Sequence, residues 1–486
     1  MHPTITHFRK ASHSLISSAL LLLCNVLLHS TLLASTCPTE HGSQGFVDSG
    51  LTLSPSDRTM FIAAMSSMNE GDSVRAETLL RALHVRYPED FEINEALGLL
   101  YAARSDPADA VHRLADAVRE CPDSAVAHAN LGIAYLKLQL AESAAKELDR
   151  AAQLQPGNPL TEEALGQAQM LLGHWQKATI AFSAALVRDT SNSDLLYNYA
   201  LALFNMKQYD KAELLLRRMP DVESSAQAQS LFGDVEEKLG DYKQAAQHYV
   251  SAVQLDPSEA NVYVLGVEFL RHWTFGPAIQ EFATGVQKFP DSQRMRLGLA
   301  IAYYGNENYD QAIQILADLL AAAPGNSLYG ELLGRTCAVL AEGLNPLCAS
   351  LVQFAELHPQ NAVLATYAAS SILHTPTTPM DLETAHRLLQ SAVASDPNLP
   401  QAQFEMGVFL QVQSKWKESI VPLETAVRLN PDYAAAHYRL SRAYSHEGRH
   451  EDAQKQISLY QIFSKKQETD LDARMKGITT LVLKMP

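Results

Sequence analysis

Proline recurs along this chain at intervals close to 34 residues, and this spacing is the strongest constraint on its fold. Pro88, Pro122 and Pro156 follow one another in steps of 34 residues. Proline lacks a backbone donor and ends a helix, so each interval predicts one helical unit that stops before the next begins. A fixed period of this length indicates an array of stacked units. The series continues at Pro257, Pro290, Pro324, Pro359, Pro397 and Pro431.

Small residues occupy fixed places within the period. Glycine lies 24 residues before a proline at Gly98, Gly132, Gly233, Gly266 and Gly407. Small residues also recur 12 residues before (Ala110, Ala144, Ala245, Ala278, Ser419) and five before (Ala117, Ala151, Ala252, Gly285, Ala426). Glycine inside a helix costs about 1 kcal/mol relative to alanine. Its recurrence therefore predicts that another helix approaches closely at this position.

This pattern resembles that of the tetratricopeptide repeat (TPR) family, with small residues at repeat positions 8, 20 and 27 and proline at 32. The resemblance implies an all-α, right-handed superhelical solenoid of helix–turn–helix repeats, each made of two antiparallel helices. Counting on this frame gives twelve repeats, which begin near Asp57, Phe91, Ala125, Pro159, Ser193, Ala226, Glu259, Gln293, Ser327, Ala362, Pro400 and Ala434.

The array is expected over residues 57–460, after a polar linker at 37–56. One more helix, roughly Gln467–Leu483 within residues 461–486, is expected to cap the exposed apolar face of the last repeat. Three repeats depart from the pattern. Thr190 replaces the proline of one, Asn345-Pro346 disturbs the second helix of the repeat from Ser327, and His374–Met380 is an insertion in the repeat from Ala362.

The first 36 residues have the pattern of a secretory signal. Arg9 and Lys10 precede an apolar core at residues 14–28, and small residues at 34–36 could be a cleavage site. Two alternatives stay open. The uncharged run is long enough for an uncleaved membrane anchor, and Cys37 could carry a lipid, although the residues before it match a lipobox poorly. All three interpretations place the repeats outside the cytoplasm, either periplasmic or secreted, or membrane-anchored.

Charge and cysteine content narrow the classes of partner. The formal net charge is −16, and an acidic surface repels phosphate backbones, so nucleic acid is not an expected partner. Five cysteines without a CxxC pair do not suggest zinc or redox chemistry. Cys337 and Cys348 could pair in an oxidising compartment or be two separate small core residues. No metal or cofactor is expected.

One motif resembles a zinc-protease signature. His446-Glu-Gly-Arg-His450 matches HExxH, in which two histidines one turn apart share a helical face. Gly448 falls at repeat position 15, in the turn between the two helices, so we expect the helix to break between the histidines. His128 and His437 occupy position 4, where packing residues are expected. The chain from 57 to 460 leaves no stretch for a separate catalytic domain, and we expect no enzyme activity.

The family resemblance implies that the concave wall is lined by first-helix positions 2, 5, 9, 12 and 13. On that basis a groove that binds a protein or peptide is expected from the following side chains: Lys137, Tyr197, Phe204, Tyr263, Leu270, Arg271, Arg294, Tyr304, Tyr329, Phe404 and Arg439. The alternative is that several of these aromatics pack against neighbouring first helices. The family's pattern for binding a peptide's C-terminal carboxylate is incomplete. Asn130 and Asn198 are present at position 6, but Ile133 and Leu201 replace the asparagine expected at position 9.

These features predict a non-catalytic adaptor whose groove binds an extended peptide or a helix of a partner outside the cytoplasm. The alternative is an assembly scaffold that works through its convex face or its ends and could self-associate. Membrane contact is expected only through the N-terminal segment, if that segment is uncleaved.

Overall fold

The computed structural model describes residues 53–324, 326–339, 346–373 and 378–469, and nothing is described outside these ranges. The predicted signal segment and most of the predicted linker therefore lie outside the described residues. Within them the chain forms 24 α-helices, one short 3-10 helix (Val222–Ser224) and no strand. The helices are α1 Pro55–Asn69, α2 Ser73–Arg86, α3 Phe91–Ala103, α4 Pro107–Glu120, α5 Ala125–Lys137, α6 Ala141–Leu154, α7 Pro159–Leu171, α8 Trp175–Leu186, α9 Ser193–Asn205, α10 Tyr209–Arg218, α11 Ala226–Leu239, α12 Tyr242–Leu255, α13 Glu259–Arg271, α14 Phe275–Lys288, α15 Gln293–Gly305, α16 Tyr309–Ala322, α17 Ser327–Val339, α18 Pro346–Leu357, α19 Ala362–Leu373, α20 Pro379–Ser395, α21 Pro400–Val412, α22 Trp416–Leu429, α23 Ala434–His446 and α24 His450–Thr469.

These helices are the twelve predicted pairs, with odd-numbered first helices and even-numbered second helices. Every first helix after α1 begins at the residue that the repeat pattern predicts. Polar residues fix many of these starts, because a side-chain oxygen accepts a backbone N–H that the helix itself leaves unpaired. Asp90, Ser124 and Asn192 cap α3, α5 and α9 in this way. The all-α repeat fold is confirmed.

The chain divides into two compact units, an N-terminal unit up to Ser251 and a C-terminal unit from Ala252. In each unit the core lies between helices of successive pairs and consists of leucine, alanine and a few aromatic rings. Phe182 and Tyr249 are fully buried in the N-terminal unit, and Phe282 is fully buried in the C-terminal unit.

Position 8 of a repeat is small because a large side chain of the second helix lies directly against it. A Cβ atom added to Gly98 would lie 2.5 Å from Leu114 Cγ, and one added to Gly266 would lie 2.6 Å from Phe282 Cζ. Real Cβ atoms do not approach other heavy atoms so closely. The contact brings together position 8 of the first helix and position 24 of the second. The predicted close approach is confirmed at the five glycines from which it was predicted.

The turn within most pairs has one residue in the left-handed region at position 15. Glycine fills it at Gly71, Gly173, Gly240 and Gly448, but Ser105, Gln139, Lys207, Trp273, Glu307 and Ser414 adopt the same conformation, with φ between 58° and 65°. The next backbone N–H reaches back five residues, as from Asp106 to the Tyr101 carbonyl at 3.0 Å. This hydrogen bond satisfies a carbonyl that the helix end leaves open.

The same turn interrupts the HExxH motif, as predicted. The helix α23 ends at His446, Gly448 has φ 73°, and α24 begins at His450. Arg449 N–H donates to the Tyr444 carbonyl at 2.8 Å. His446 stacks on Trp416 with ring centroids 3.7 Å apart. The two histidines therefore do not share a helical face.

The repeat from Ser327 differs from the others in how its helices are joined. Gly334 of α17 lies against Tyr367, which belongs to the first helix of the following repeat. Its own pair is joined covalently, because Cys337 on α17 and Cys348 on α18 form a disulfide with Cα atoms 5.8 Å apart. The sequence left open whether Cys337 and Cys348 form a disulfide or are two separate core residues, and the structure has the disulfide. Cys121 is also disulfide-bonded.

The last second helix is longer than the pattern predicted. α24 runs through Tyr460, where the sequence placed the end of the array, and continues to Thr469. The remaining residues of the predicted capping helix, from 470, lie outside the described residues. Among the helices that the structure describes, none has the length and apolar character needed to cross a membrane.

The contact at position 8 predicts an unusual response to alanine. Gly266→Ala should lower stability by about 1 kcal/mol or more, because the overlap with Phe282 outweighs the helix preference of alanine. Gly276→Ala, on the second helix of the same repeat with no atom near the added Cβ, should be neutral or stabilising. Thermal or urea unfolding of the two variants measures the difference. Equal effects at the two positions would contradict this packing.

Candidate partner-binding surface

Side-chain hydrogen bonds link the first helices of successive repeats, and each joins two residues about one repeat length apart in the sequence. We call the side chains at positions 1, 2, 5, 6, 9, 12 and 13 of the first helices the first-helix face. In the N-terminal unit, Asn130 Nδ2 donates to Glu95 Oε1 at 3.1 Å and Lys137 Nζ donates to the Ala102 carbonyl at 3.1 Å. These bonds join α3 to α5 along that face.

The C-terminal unit repeats this arrangement with different side chains. Arg294 Nε donates to Glu259 Oε1 at 2.7 Å, and its guanidinium lies over the Tyr263 ring, 4.9 Å from the centroid. Burial raises the pKa of the Tyr263 hydroxyl to about 12, so the ring stays neutral. Ser370 Oγ donates to Glu405 Oε1 at 2.8 Å. The polar groups of the face are thus held in place by the neighbouring repeat.

Six of the predicted groove residues are partly exposed on the first-helix face. They are Lys137, Tyr263, Arg271, Arg294, Tyr304 and Arg439. The Tyr304 ring packs edge-on to Tyr309 at 5.8 Å. Arg271 lies 3.7 Å from a carboxylate oxygen of Glu268. Burial lowers the pKa of Arg439, and the nearby Arg442 adds to this effect.

The other five predicted groove residues are buried, which corrects the expectation that they point into an open groove. Tyr197, Phe204, Leu270, Tyr329 and Phe404 are at most 9% exposed. Their neighbours cover them, because large apolar side chains gain more from packing than from exposure. The Phe204 ring lies 5.4 Å from Tyr209, and the Phe404 ring lies 4.8 Å from Tyr433. The Tyr329 hydroxyl donates to Gln293 at 3.2 Å. These side chains offer a partner little surface.

The two position-4 histidines hold the turns between repeats. The His128 ring lies 2.9 Å from the Pro122 carbonyl and 2.7 Å from Glu147, while the His437 ring lies 2.8 Å from the Pro431 carbonyl and 2.6 Å from Gln456. Both rings are buried. The prediction that they are packing residues is confirmed.

Two carboxyl groups on the first-helix face were not selected by the sequence. Glu95 and Glu163 both occupy position 5, in α3 and α7. Burial raises the pKa of Glu95 to about 7, opposed by the hydrogen bond from Asn130. Burial raises the pKa of Glu163 to about 7 as well, and the acidic neighbours Asp194 and Asp189 act in the same direction. Gln167 and Asn192 donate to its two oxygens at 3.2 and 3.4 Å.

Sequence comparisons identify the family. Residues 63–125, 96–159, 275–335 and 423–455 match the pattern described as Tetratricopeptide repeat. Residues 171–252 match the pattern described as Anaphase-promoting complex, cyclosome, subunit 3. The chain belongs to the tetratricopeptide repeat family.

Solved structures with a similar fold include three at low identity. A structure titled for pilF of Pseudomonas aeruginosa is 18% identical over 42% of this chain and 92% of that one, with a TM-score of 0.37. A structure of Naa15/Naa10 bound to HypK-THB is 14% identical over 83% and 68%, with a TM-score of 0.33. YrrB, titled a TPR protein with an unusual peptide-binding site, is 20% identical over 37% and 93%, with a TM-score of 0.33.

The raised pKa of Glu95 predicts a pH-dependent cost to stability. A carboxyl whose pKa is higher in the folded chain than its ordinary 4.5 stabilises the fold fully below about pH 4.5. That contribution is lost as the pH rises through about 7. Glu95→Gln keeps an oxygen for Asn130 and removes the charge. It should stabilise the protein by about 1 to 2 kcal/mol at pH 8 and have little effect at pH 4.5, discounting for partial exposure.

Unfolding of this variant at both pH values, beside Glu142→Gln on the exposed surface of α6, measures the effect. A variant that is less stable than the wild type at pH 8 would show that the ionised carboxylate is favourable in the fold.

Proposed function

We propose that this protein is a non-catalytic adaptor that binds a segment of a partner protein on its first-helix face, outside the cytoplasm. The observation that carries this proposal is the set of hydrogen bonds between successive first helices. Because Asn130, Lys137 and Arg294 are held by the preceding repeat, the polar groups of the face are ordered before a partner arrives. A surface ordered in advance loses less conformational entropy on binding.

The extracytoplasmic location is supported by the cysteines. Cys337 and Cys348 form a disulfide, and Cys121 is also disulfide-bonded. Disulfides persist in oxidising compartments and are rare in the cytosol. This agrees with the signal-like pattern of the first 36 residues. A periplasmic or secreted protein and a membrane-anchored one remain the two forms of the proposal.

The absence of catalysis is proposed from the architecture. TPR proteins are generally interaction scaffolds, and the described residues between α1 and α24 consist of helix pairs and their turns. The motif nearest to a catalytic signature, at His446 and His450, is divided by a turn.

A second candidate is a scaffold that uses the opposite, second-helix surface. Large apolar side chains are exposed there, including Ile180 at 60% and Val421 at 68%. They are far apart in sequence, on α8 and α22. Positions on the second-helix surface therefore serve as controls for positions on the first-helix face.

Site-specific photocrosslinking separates the two candidates. A photoreactive residue replaces Val126 or Val412, which are both 46% exposed and lie at positions 2 and 13 of first helices. The matched controls replace Ile180 and Val421 on second helices. In cells that make the protein, we expect crosslinked partner bands from the first-helix positions at least several-fold stronger than from the controls.

Stronger crosslinks from Ile180 and Val421 would favour the scaffold. Crosslinks to a second copy of the chain alone would identify self-association instead of adaptor function.

A further inference from the structure

We propose that the first-helix face of the N-terminal unit binds a cationic segment of the partner, whose Lys or Arg side chains pair with Glu95 and Glu163. This inference rests on the proposed function and adds the chemistry of the partner. An extended segment with two positive charges is the occupant that we infer.

The two carboxylates occupy equivalent places in the array. Glu95 and Glu163 are both at position 5 of a first helix, two repeats apart. Each is partly buried and accepts a hydrogen bond from an asparagine, Glu95 from Asn130 of the following repeat and Glu163 from Asn192, which caps the following first helix. Neutral amides fix the position of each carboxylate without neutralising its charge.

Neither carboxylate has a cationic partner within the described part of the chain, where no ion pair involves Glu95 or Glu163. The charged groups that act on them are themselves acidic, Glu92 beside the first and Asp189 and Asp194 beside the second. A cation brought by a partner would relieve this unfavourable burial of negative charge.

The C-terminal unit provides an internal comparison. Glu331 also lies at position 5, and there Arg335 Nη2 is 2.5 Å from its carboxylate oxygen. Glu259, at position 1 of its own first helix, is held by Arg294 at 2.7 Å. Where the chain supplies its own cation, position 5 is neutralised. In the N-terminal unit the equivalent charge is left for another molecule.

A buried amide adds a second, independent sign of a missing ligand. Asn198 occupies position 6, the position from which Asn130 donates to Glu95 one repeat earlier. Asn198 stands in the same relation to Glu163. It is 0% exposed, and neither Nδ2 nor Oδ1 has a hydrogen-bond partner among the described residues. A buried amide without partners is costly, and a ligand group or its bound water at Glu163 would satisfy it.

The repeat geometry sets the spacing of the two charges on the partner. Packed neighbouring helices are about 9 Å apart, so two steps along the first helices separate the carboxylates by about 18 Å. An extended chain advances about 3.3 Å per residue. The partner segment should therefore carry its two cations about five or six residues apart.

Fluorescence polarisation on the purified full chain tests the proposal. The probe is a labelled Gly-Ser peptide with two lysines about six residues apart, compared with peptides that carry two glutamates or one lysine. We expect the two-lysine peptide to bind at least about tenfold more tightly than either. Glu95→Gln/Glu163→Gln should weaken its binding at least about tenfold.

The control variant Glu142→Gln/Asp149→Asn removes two exposed charges from the second helix α6 of the same unit and should bind as the wild type does. Equal losses in both variants would reduce the effect to net charge and overturn the proposal, as would preference for the two-glutamate peptide. Unfolding of each variant, measured in parallel, separates lost binding from lost folding.

A pH series distinguishes pairing from a structural role. The affinity of the two-lysine peptide should rise between about pH 6 and about pH 8, where Glu95 and Glu163 ionise beside Glu92, Asp189 and Asp194. The double glutamine variant should show no such rise. A partner could crosslink at Val126 equally well in the wild type and in the Glu95→Gln/Glu163→Gln variant. That result would refute the cationic segment while still supporting the adaptor function.

Discussion

In six of the described helix pairs, a large side chain of the second helix lies directly against a glycine of the first. Leu114 against Gly98 and Phe282 against Gly266 are examples, with distances that leave no room for a methyl group. This contact brings the two helices of a repeat close together. The first helices of successive repeats then lie side by side, which lets Asn130 reach Glu95 and Arg294 reach Glu259. The candidate binding surface is thus a consequence of packing inside the pairs.

The two units use the same positions for different electrostatics. In the C-terminal unit, Arg335 pairs with Glu331 and Arg294 pairs with Glu259. In the N-terminal unit, Glu95 and Glu163 have only amide partners and raised pKa values. Retaining uncompensated buried charge lowers stability, and proteins commonly accept such a cost at functional sites. This trade between folding and binding is the physical basis for proposing a cationic partner.

The sequence predicted the fold well because its signals are local and repeated. Glycine at position 8 and proline at 32 recur at a fixed spacing, and every first helix after α1 begins where they indicate. The left-handed turn residues Ser105 and Lys207 carry no such signal, since only some turns have glycine there. Side-chain exposure was harder to predict. Tyr197 and Phe204 occupy groove positions but are buried by their neighbours. Glu163 stands out only because its described hydrogen-bond partners are neutral amides, which the sequence alone does not show.

The ionisation of Glu95 and Glu163 is the most direct test of this account. Carbon NMR of the glutamate carboxyls, assigned with the two glutamine variants, reports each pKa with and without the two-lysine peptide. The account predicts pKa values near 7 in the free protein that fall toward the ordinary value when the peptide binds. Ordinary pKa values in the free protein, or raised values that the peptide leaves unchanged, would contradict it.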